Sequence, residues 1–179
     1  MAKTQTTEAN AAAFTKAQLV ASQRYVHRRD LIGALLEDGK TYTFHLRDAK
    51  WSNGEAVTAA DFVFGWQRAV DPATASEYSY MLSDIGQVVN AAEIIAGEKP
   101  VTDLGVTAVD DHTLTYTLTY DFPGFLSLLC YLPYEPAYGP LLSEMGDQYA
   151  TSAETLYSCG AFYLSDYESL ETWIMKKNP

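Results

Sequence analysis

Residues 41–70 read TYTFHLRDAKWSNGEAVTAADFVFGWQRAV, and a change of period inside this stretch decides the fold. Tyr42, Phe44 and Leu46 alternate with Thr43, His45 and Arg47, the spacing of a strand with one buried face. His45 falls on the polar face, where solvent explains it better than catalysis does. Trp51-Ser52-Asn53-Gly54 comes next, and Asn-Gly favours a tight turn. From Thr58 the period lengthens to that of a helix. Thr58 stands as N-cap with Asp61 three residues on, where a carboxylate meets unpaired N–H groups and the positive end of the helix dipole. Val57 and Phe62 occupy the positions of a hydrophobic staple. Phe62 and Trp66 lie four apart and share one face. Asp71-Pro72 ends the helix.

Upstream, residues 1–13 form a polar tail without the basic start and apolar run of a secretory leader. A helix is expected next, with Thr15 and Gln18 as a capping box and Phe14 and Leu19 as its staple. Leu19, Val26, Leu31, Ile32, Leu35 and Leu36 continue it at roughly helical spacing. A break is expected near residues 28–30, and Gly39 is placed as the C-terminal stop. Downstream, residues 78–82 and 88–96 read as short helices, the second closed by Gly97. Residues 106–109 and 114–119 read as a hairpin about Asp110-Asp111-His112. Two more helices are expected over 123–129 and 138–149. A last hairpin, over 160–167 and 170–176, would turn at Glu168-Ser169. Strands come as hairpins without βαβ alternation, so the class is α+β.

The 179 residues suffice for one domain with a real core, and 47% apolar with 13% aromatic residues is a packed globular composition. Thirteen tyrosines suit a binding surface, since each offers an apolar face and a hydrogen-bonding tip. Half-buried strands use tyrosine equally well. A net charge of -11 argues against nucleic-acid binding, which needs clustered Lys and Arg. The one basic cluster, Arg24, His27, Arg28 and Arg29, is accounted for by a solvated helix face. Residues 122–134 are the greasiest stretch, but they are short and hold Pro123 and Pro133, so no membrane insertion is expected. Cys130 and Cys159 lack metal-ligand spacing. They could pair in an oxidising compartment, though two ordinary buried thiols are the favoured reading.

Catalytic patterns are thin. Cys159-Gly160 and His112 are the only fragments of a nucleophile-and-base pair, and turn polarity explains His112. Asp110-Asp111 and Glu37-Asp38 are adjacent acids, which rarely converge on one substrate. Glycine-rich phosphate loops, HExxH and calcium-loop spacing are missing from the sequence. The expectation is a binding protein with no catalytic residue, cofactor or metal.

Three stretches together resemble one family. Residues 41–70 carry a strand ending in Leu-Arg, then Lys-Trp-Ser-x-Gly, then Val-Thr-Ala-x-Asp-Phe. Residues 103–118 (DLGVTAVDDHTLTYTL) and 90–100 (NAAEIIAGEKP) add a hairpin with an Asp-Asp-His-Thr turn and the helix before it. This combination resembles the family 5 extracellular solute-binding proteins, the oligopeptide- and dipeptide-binding components of ABC importers, and residues 71–80 resemble the oligopeptide branch most. The resemblance implies a segment of a periplasmic-binding-protein type II-like lobe, a mixed sheet with hairpins and flanking helices, over residues 41–179. It implies a peptide ligand, ABC permease subunits as partners, and a periplasmic or cell-surface location, although the chain shows no leader. Tyr78 matches a family tyrosine that lies against the bound peptide's backbone. Tyr80 and the turn containing Ser158, Gly160 and Ala161 are candidates by neighbourhood, whereas Trp51, Phe62 and Trp66 look like packing residues. Residues 1–40 do not resemble the family, Cys159 stands where Asn is usual, and MKKNP resembles a strand after which another lobe is expected. The rival expectation is a non-catalytic interaction module, with the N-terminal helical segment mediating docking or dimerisation.

Overall fold

The computed structural model describes residues 31–35, 39–122, 124–168 and 172–178. Strands β1 (Leu31–Leu35), β2 (Thr41–Leu46), β3 (Val106–Asp110) and β4 (Thr113–Thr117) form a sheet in the order β1-β2-β4-β3. Residues 41–46 form a strand for the reason their alternation gives. Tyr42 and Phe44 are each 2% exposed, while His45 faces solvent. Tyr42 pairs across to Tyr116, and Phe44 to Leu114, so aromatic and aliphatic side chains of both strands line one face. Every ladder pair among the described residues is antiparallel, because each strand is joined to its neighbour by a hairpin or by a long return over the sheet. The α+β class holds, without the parallel pairing that a mixed sheet would add.

Helix α1 (Ala59–Val70) packs on that apolar face. Ala59, Phe62, Trp66 and Val70 are its buried stripe, the i, i+3, i+4 spacing of an amphipathic helix. The Trp66 ring lies against Tyr116 of β4 with centroids 3.9 Å apart, and against Tyr134 at 4.7 Å. Its indole N–H donates to the Tyr134 carbonyl at 3.2 Å, so the largest core side chain also satisfies its one polar atom.

The start of α1 is a junction. The Asp61 carboxylate accepts from the Thr58 N–H at 2.8 Å and from the Trp51 indole N–H at 3.2 Å. One side chain therefore caps the helix and fastens the Trp-Ser-Asn-Gly turn to it, while Gly54 takes the left-handed φ of +91° that only glycine adopts freely. The Asp110-Asp111-His112 turn docks on the same corner. The Ala59 N–H donates to the Asp111 carbonyl at 2.9 Å, and the Leu46 N–H to the His112 carbonyl at 2.7 Å. The His112 N–H donates to the Asp110 carboxylate and holds that carboxyl below its ordinary value.

The remaining helices are shorter than expected: α2 (Ala91–Ile95), α3 (Phe125–Leu128) and α4 (Gly139–Met145). The helix expected over 78–82 begins later and runs further, as a π-helical turn over Met81–Ile85. Strands β5 (Phe162–Glu168) and β6 (Thr172–Lys177) make a separate two-stranded sheet. The turn expected at Glu168-Ser169 falls partly outside the described residues, as do the basic cluster at 24–29 and the helix expected from Thr15. Where that helix was to continue through Leu31, Ile32 and Leu35, the chain is instead strand β1. Two causes are visible. Gly33 weakens a helix interior by about 1 kcal/mol, and the edge of β2 offers backbone partners, Gly33 pairing with Phe44. A short apolar run cannot be assigned by periodicity alone.

Candidate ligand-binding site

After α1 the chain turns sharply. The Asp71 carboxylate accepts from the Ala73 N–H at 2.9 Å and caps the turn Pro72–Thr74. The chain then reaches Tyr78 and Tyr80, which are 52% and 44% exposed. Met81 and Leu82 go inward, which is what leaves the two tyrosines outside. The Met81 N–H donates to the Tyr78 carbonyl at 3.0 Å, tying Tyr78 to the buried turn.

A second segment meets this one. Beyond α3 the chain closes into a tight turn over Leu132–Tyr134. Tyr134 is wholly buried, and its hydroxyl donates to the Met81 carbonyl. The Tyr134 N–H donates to the Tyr131 carbonyl at 3.0 Å. Since Tyr134 takes the inward place, Tyr131 and Leu132 are left at 53% and 81% exposure. Tyr78, Cys130, Tyr131, Leu132 and Pro133 line an open cavity of about 300 Å³. The Tyr134–Met81 bond thus clamps both sides of the rim to one core.

Of the expected site residues, Tyr78 lines the cavity and Tyr80 does not. The turn at 158–161 does not line it either and is held by other bonds. The Ser158 N–H donates to Ser52 Oγ at 3.2 Å, and its hydroxyl donates to the Phe162 carbonyl at 2.9 Å. The Asn178 side-chain amide donates to the Ser158 and Gly160 carbonyls at 3.0 Å each, and its backbone N–H to the Ala161 carbonyl at 2.9 Å. Gly160 and Ala161 are exposed. The cysteines are not joined to each other. Cys130 is exposed rather than buried, because it sits on the rim turn, while Cys159 is half-buried against the core. Tyr131 and Leu132 escaped the sequence reading, which treated residues 122–134 as one greasy run. Pro133 was the available signal: it breaks the run into a turn, and a turn cannot bury every side chain it carries.

Burial also sets a pH response. Tyr42, whose hydroxyl donates to the Phe122 carbonyl at 3.2 Å, is pushed up to about 12 by burial and then by the Asp121 charge. Burial raises Tyr134 as well. A folded-state value above the unfolded one means that the folded chain holds its proton more tightly. The stability this provides is complete below the ordinary tyrosine value near 10 and is lost as pH rises toward about 12. Urea midpoints measured across that interval should fall, and tyrosinate absorbance should rise together with unfolding. A Tyr42→Phe variant should show a shallower fall. An equal fall in variant and parent would show that other groups control alkaline unfolding.

Among the described residues, no group of three or more His, Cys, Asp or Glu is placed to hold a metal ion, and no helix is long and apolar enough to cross a membrane. The family model for bacterial extracellular solute-binding proteins, family 5 Middle, matches residues 33–179. The periplasmic oligopeptide-binding protein OppA of Escherichia coli K12 is 43% identical over 144 residues, covering 80% of this chain and 26% of that protein. The probable deoxycholate-binding periplasmic protein YgiS of the same organism is 42% identical over 146 residues, 81% of this chain and 27% of that protein. The solved structure of Haemophilus influenzae OppA in complex with RPPGFSPFR superposes with a TM-score of 0.77 at 41% identity, over 83% of this chain and 29% of that one. The chain therefore spans between a quarter and a third of the length of these relatives. With a family model matching residues 33–179, most of its length, the chain belongs to the family 5 bacterial extracellular solute-binding proteins.

Proposed function

We propose that this chain is part of one lobe of a peptide-capturing component of an ABC importer, holding peptide without altering it chemically. One observation carries the reading: Tyr78 stands half exposed at the lip of a cavity in a chain 43% identical to a protein named oligopeptide-binding. A tyrosine there can lay its ring along a peptide backbone and offer its hydroxyl to a carbonyl. Tyr80, Ser158, Gly160 and Ala161, which do not line the cavity, are proposed to face other parts of the ligand. ABC permease subunits are the proposed partners, outside the cytoplasmic membrane, as the relative's periplasmic name suggests. The non-catalytic part is supported by the match of residues 33–179 to a solute-binding family. We also propose that a leading segment precedes the lobe; the pairing of β1 with β2 favours a division before residue 31 over one at residue 40. The rival docking module loses support where β1 replaces the end of its helix.

Two-lobed binding proteins close on ligand by hinge motion, and this chain spans 26% of its OppA relative. Isothermal titration with short peptides should therefore give dissociation constants of roughly 1 mM, about 4 kcal/mol. Peptide-induced NMR shifts should centre on Tyr78. If no peptide moves any resonance at several times that concentration, the reading is wrong. Deoxycholate belongs in the same titration, because YgiS carries that ligand in its name; a response to deoxycholate alone would replace peptide by a bile salt.

A further inference from the structure

Strand β6 is exposed along its whole length, and a two-stranded ribbon is marginal in water on its own. The direction of the β5–β6 hairpin is therefore set where it meets the lobe. There β6 runs into Asn178, whose side-chain amide donates to the carbonyls of Ser158 and Gly160 at 3.0 Å each and of Lys50 at 3.4 Å. Its backbone N–H donates to a fourth carbonyl, that of Ala161, at 2.9 Å. The other half of the same amide gains nothing: Oδ1 is buried, and no described residue donates to it. An unpaired buried acceptor opposes folding, so this side chain contributes through its N–H groups. Turned over, the amide would aim its oxygen at three carbonyl oxygens.

The bonds fall into two sets. Those from Asn178 to the 158–161 turn have ordinary length, whereas the two that cross to residues 50–52 are longer. The crossing bonds are the 3.4 Å contact with the Lys50 carbonyl and the Ser158 N–H on Ser52 Oγ at 3.2 Å. Lys50 and Ser52 flank Trp51, which is 2% exposed and tied to Asp61, so they belong to the body of sheet and helix. We propose that Asn178 is the joint of this lobe, a positioning residue that fastens β5–β6 and the 158–161 turn into one unit and sets that unit against residues 50–52. The joint goes beyond the peptide-binding reading and stands without it. Where lobes close by hinge motion, a hairpin fixed in direction moves with its lobe, and a loose one swings.

The test compares Asn178→Asp and Asn178→Ala with the parent by amide NMR on the intact chain. An ionised carboxylate matches the size of the amide but offers no donor and repels the three carbonyls. Its protonated form regains one O–H donor. That repulsion lifts the introduced carboxyl above its ordinary value of about 4, so the joint is present below the lifted value and lost as pH rises through it. At neutral pH both variants should shift the amides of Ser158, Gly160 and Ala161, speed exchange of the amide at position 178 about tenfold, and loosen Trp173, with the Trp66 indole signal unmoved. On acidification Asn178→Asp should return part of the way to the parent taken through the same pH steps, and Asn178→Ala should not. Ser52→Ala removes only the other crossing bond and should leave the hairpin ordered. Unshifted turn amides in both variants, or identical behaviour of the two at every pH, would overturn the joint by showing that the N–H donors are idle. A hairpin loosened as much by Ser52→Ala as by Asn178→Asp would move the joint to Ser52.

Discussion

Replacing Trp66 with alanine should remove most of the stability of this lobe. The side chain is wholly buried, and deleting a buried tryptophan costs about 3–5 kcal/mol through lost transfer energy and the cavity left behind. The indole N–H bond to the Tyr134 carbonyl is lost as well, which adds about 0.5–1.5 kcal/mol. Domains of this kind have roughly 5–15 kcal/mol in total, so Trp66→Ala should be largely unfolded without denaturant, or should melt at much lower urea. Trp66→Phe, which keeps ring contacts with Tyr116 and Phe125 but not the N–H, should fall between. A Trp66→Ala variant weakened by less than about 1 kcal/mol would mean that the centre of the core lies elsewhere.

Gly86→Ala should also destabilise, against the usual expectation. Gly86 has right-handed φ and ψ of -79° and -18°, where alanine is normally the better residue by up to about 1 kcal/mol. A Cβ there would fall onto the Tyr134 hydroxyl and within 2.8 Å of the Met81 carbonyl oxygen. Overpacking of this kind costs about 1–3 kcal/mol, so the collision outweighs the propensity. It also strikes the bond that clamps the rim, so the amide resonances of Tyr78 and Tyr131 should shift with it. The double variant Gly86→Ala with Tyr134→Phe removes the struck oxygen and should lose less than the sum of the two single changes. Strict additivity would show that Gly86 and Tyr134 do not meet.

The scaffold was legible in sequence wherever one strong local rule governed it. Tyr42 and Phe44 alternate because one sheet face is dry, and Thr58 with Asp61 marks a helix start that the fold keeps. The hairpin about Asp110-Asp111-His112 was equally plain. Legibility failed where tertiary partners decide. Residues 31–35 join the sheet because β2 presents an edge to them, and no property of Leu-Ile-Gly-Ala-Leu by itself announces that edge. The site was half legible for the same reason. Tyr78 could be picked out by likeness to a family, whereas Tyr131 and Leu132 become neighbours of Tyr78 only through Tyr134 and Met81, which are 53 residues apart.

The corner where Trp51, Thr58, Asp61 and the Asp111-His112 turn converge holds the residues by which this family is most easily spotted. Its side-chain bonds stay inside the corner, with the Asp61 carboxylate accepting from both Trp51 and Thr58. A motif keyed to that corner therefore sorts proteins by chassis, and chains named for oligopeptides and for deoxycholate match this one almost equally well over their whole aligned length.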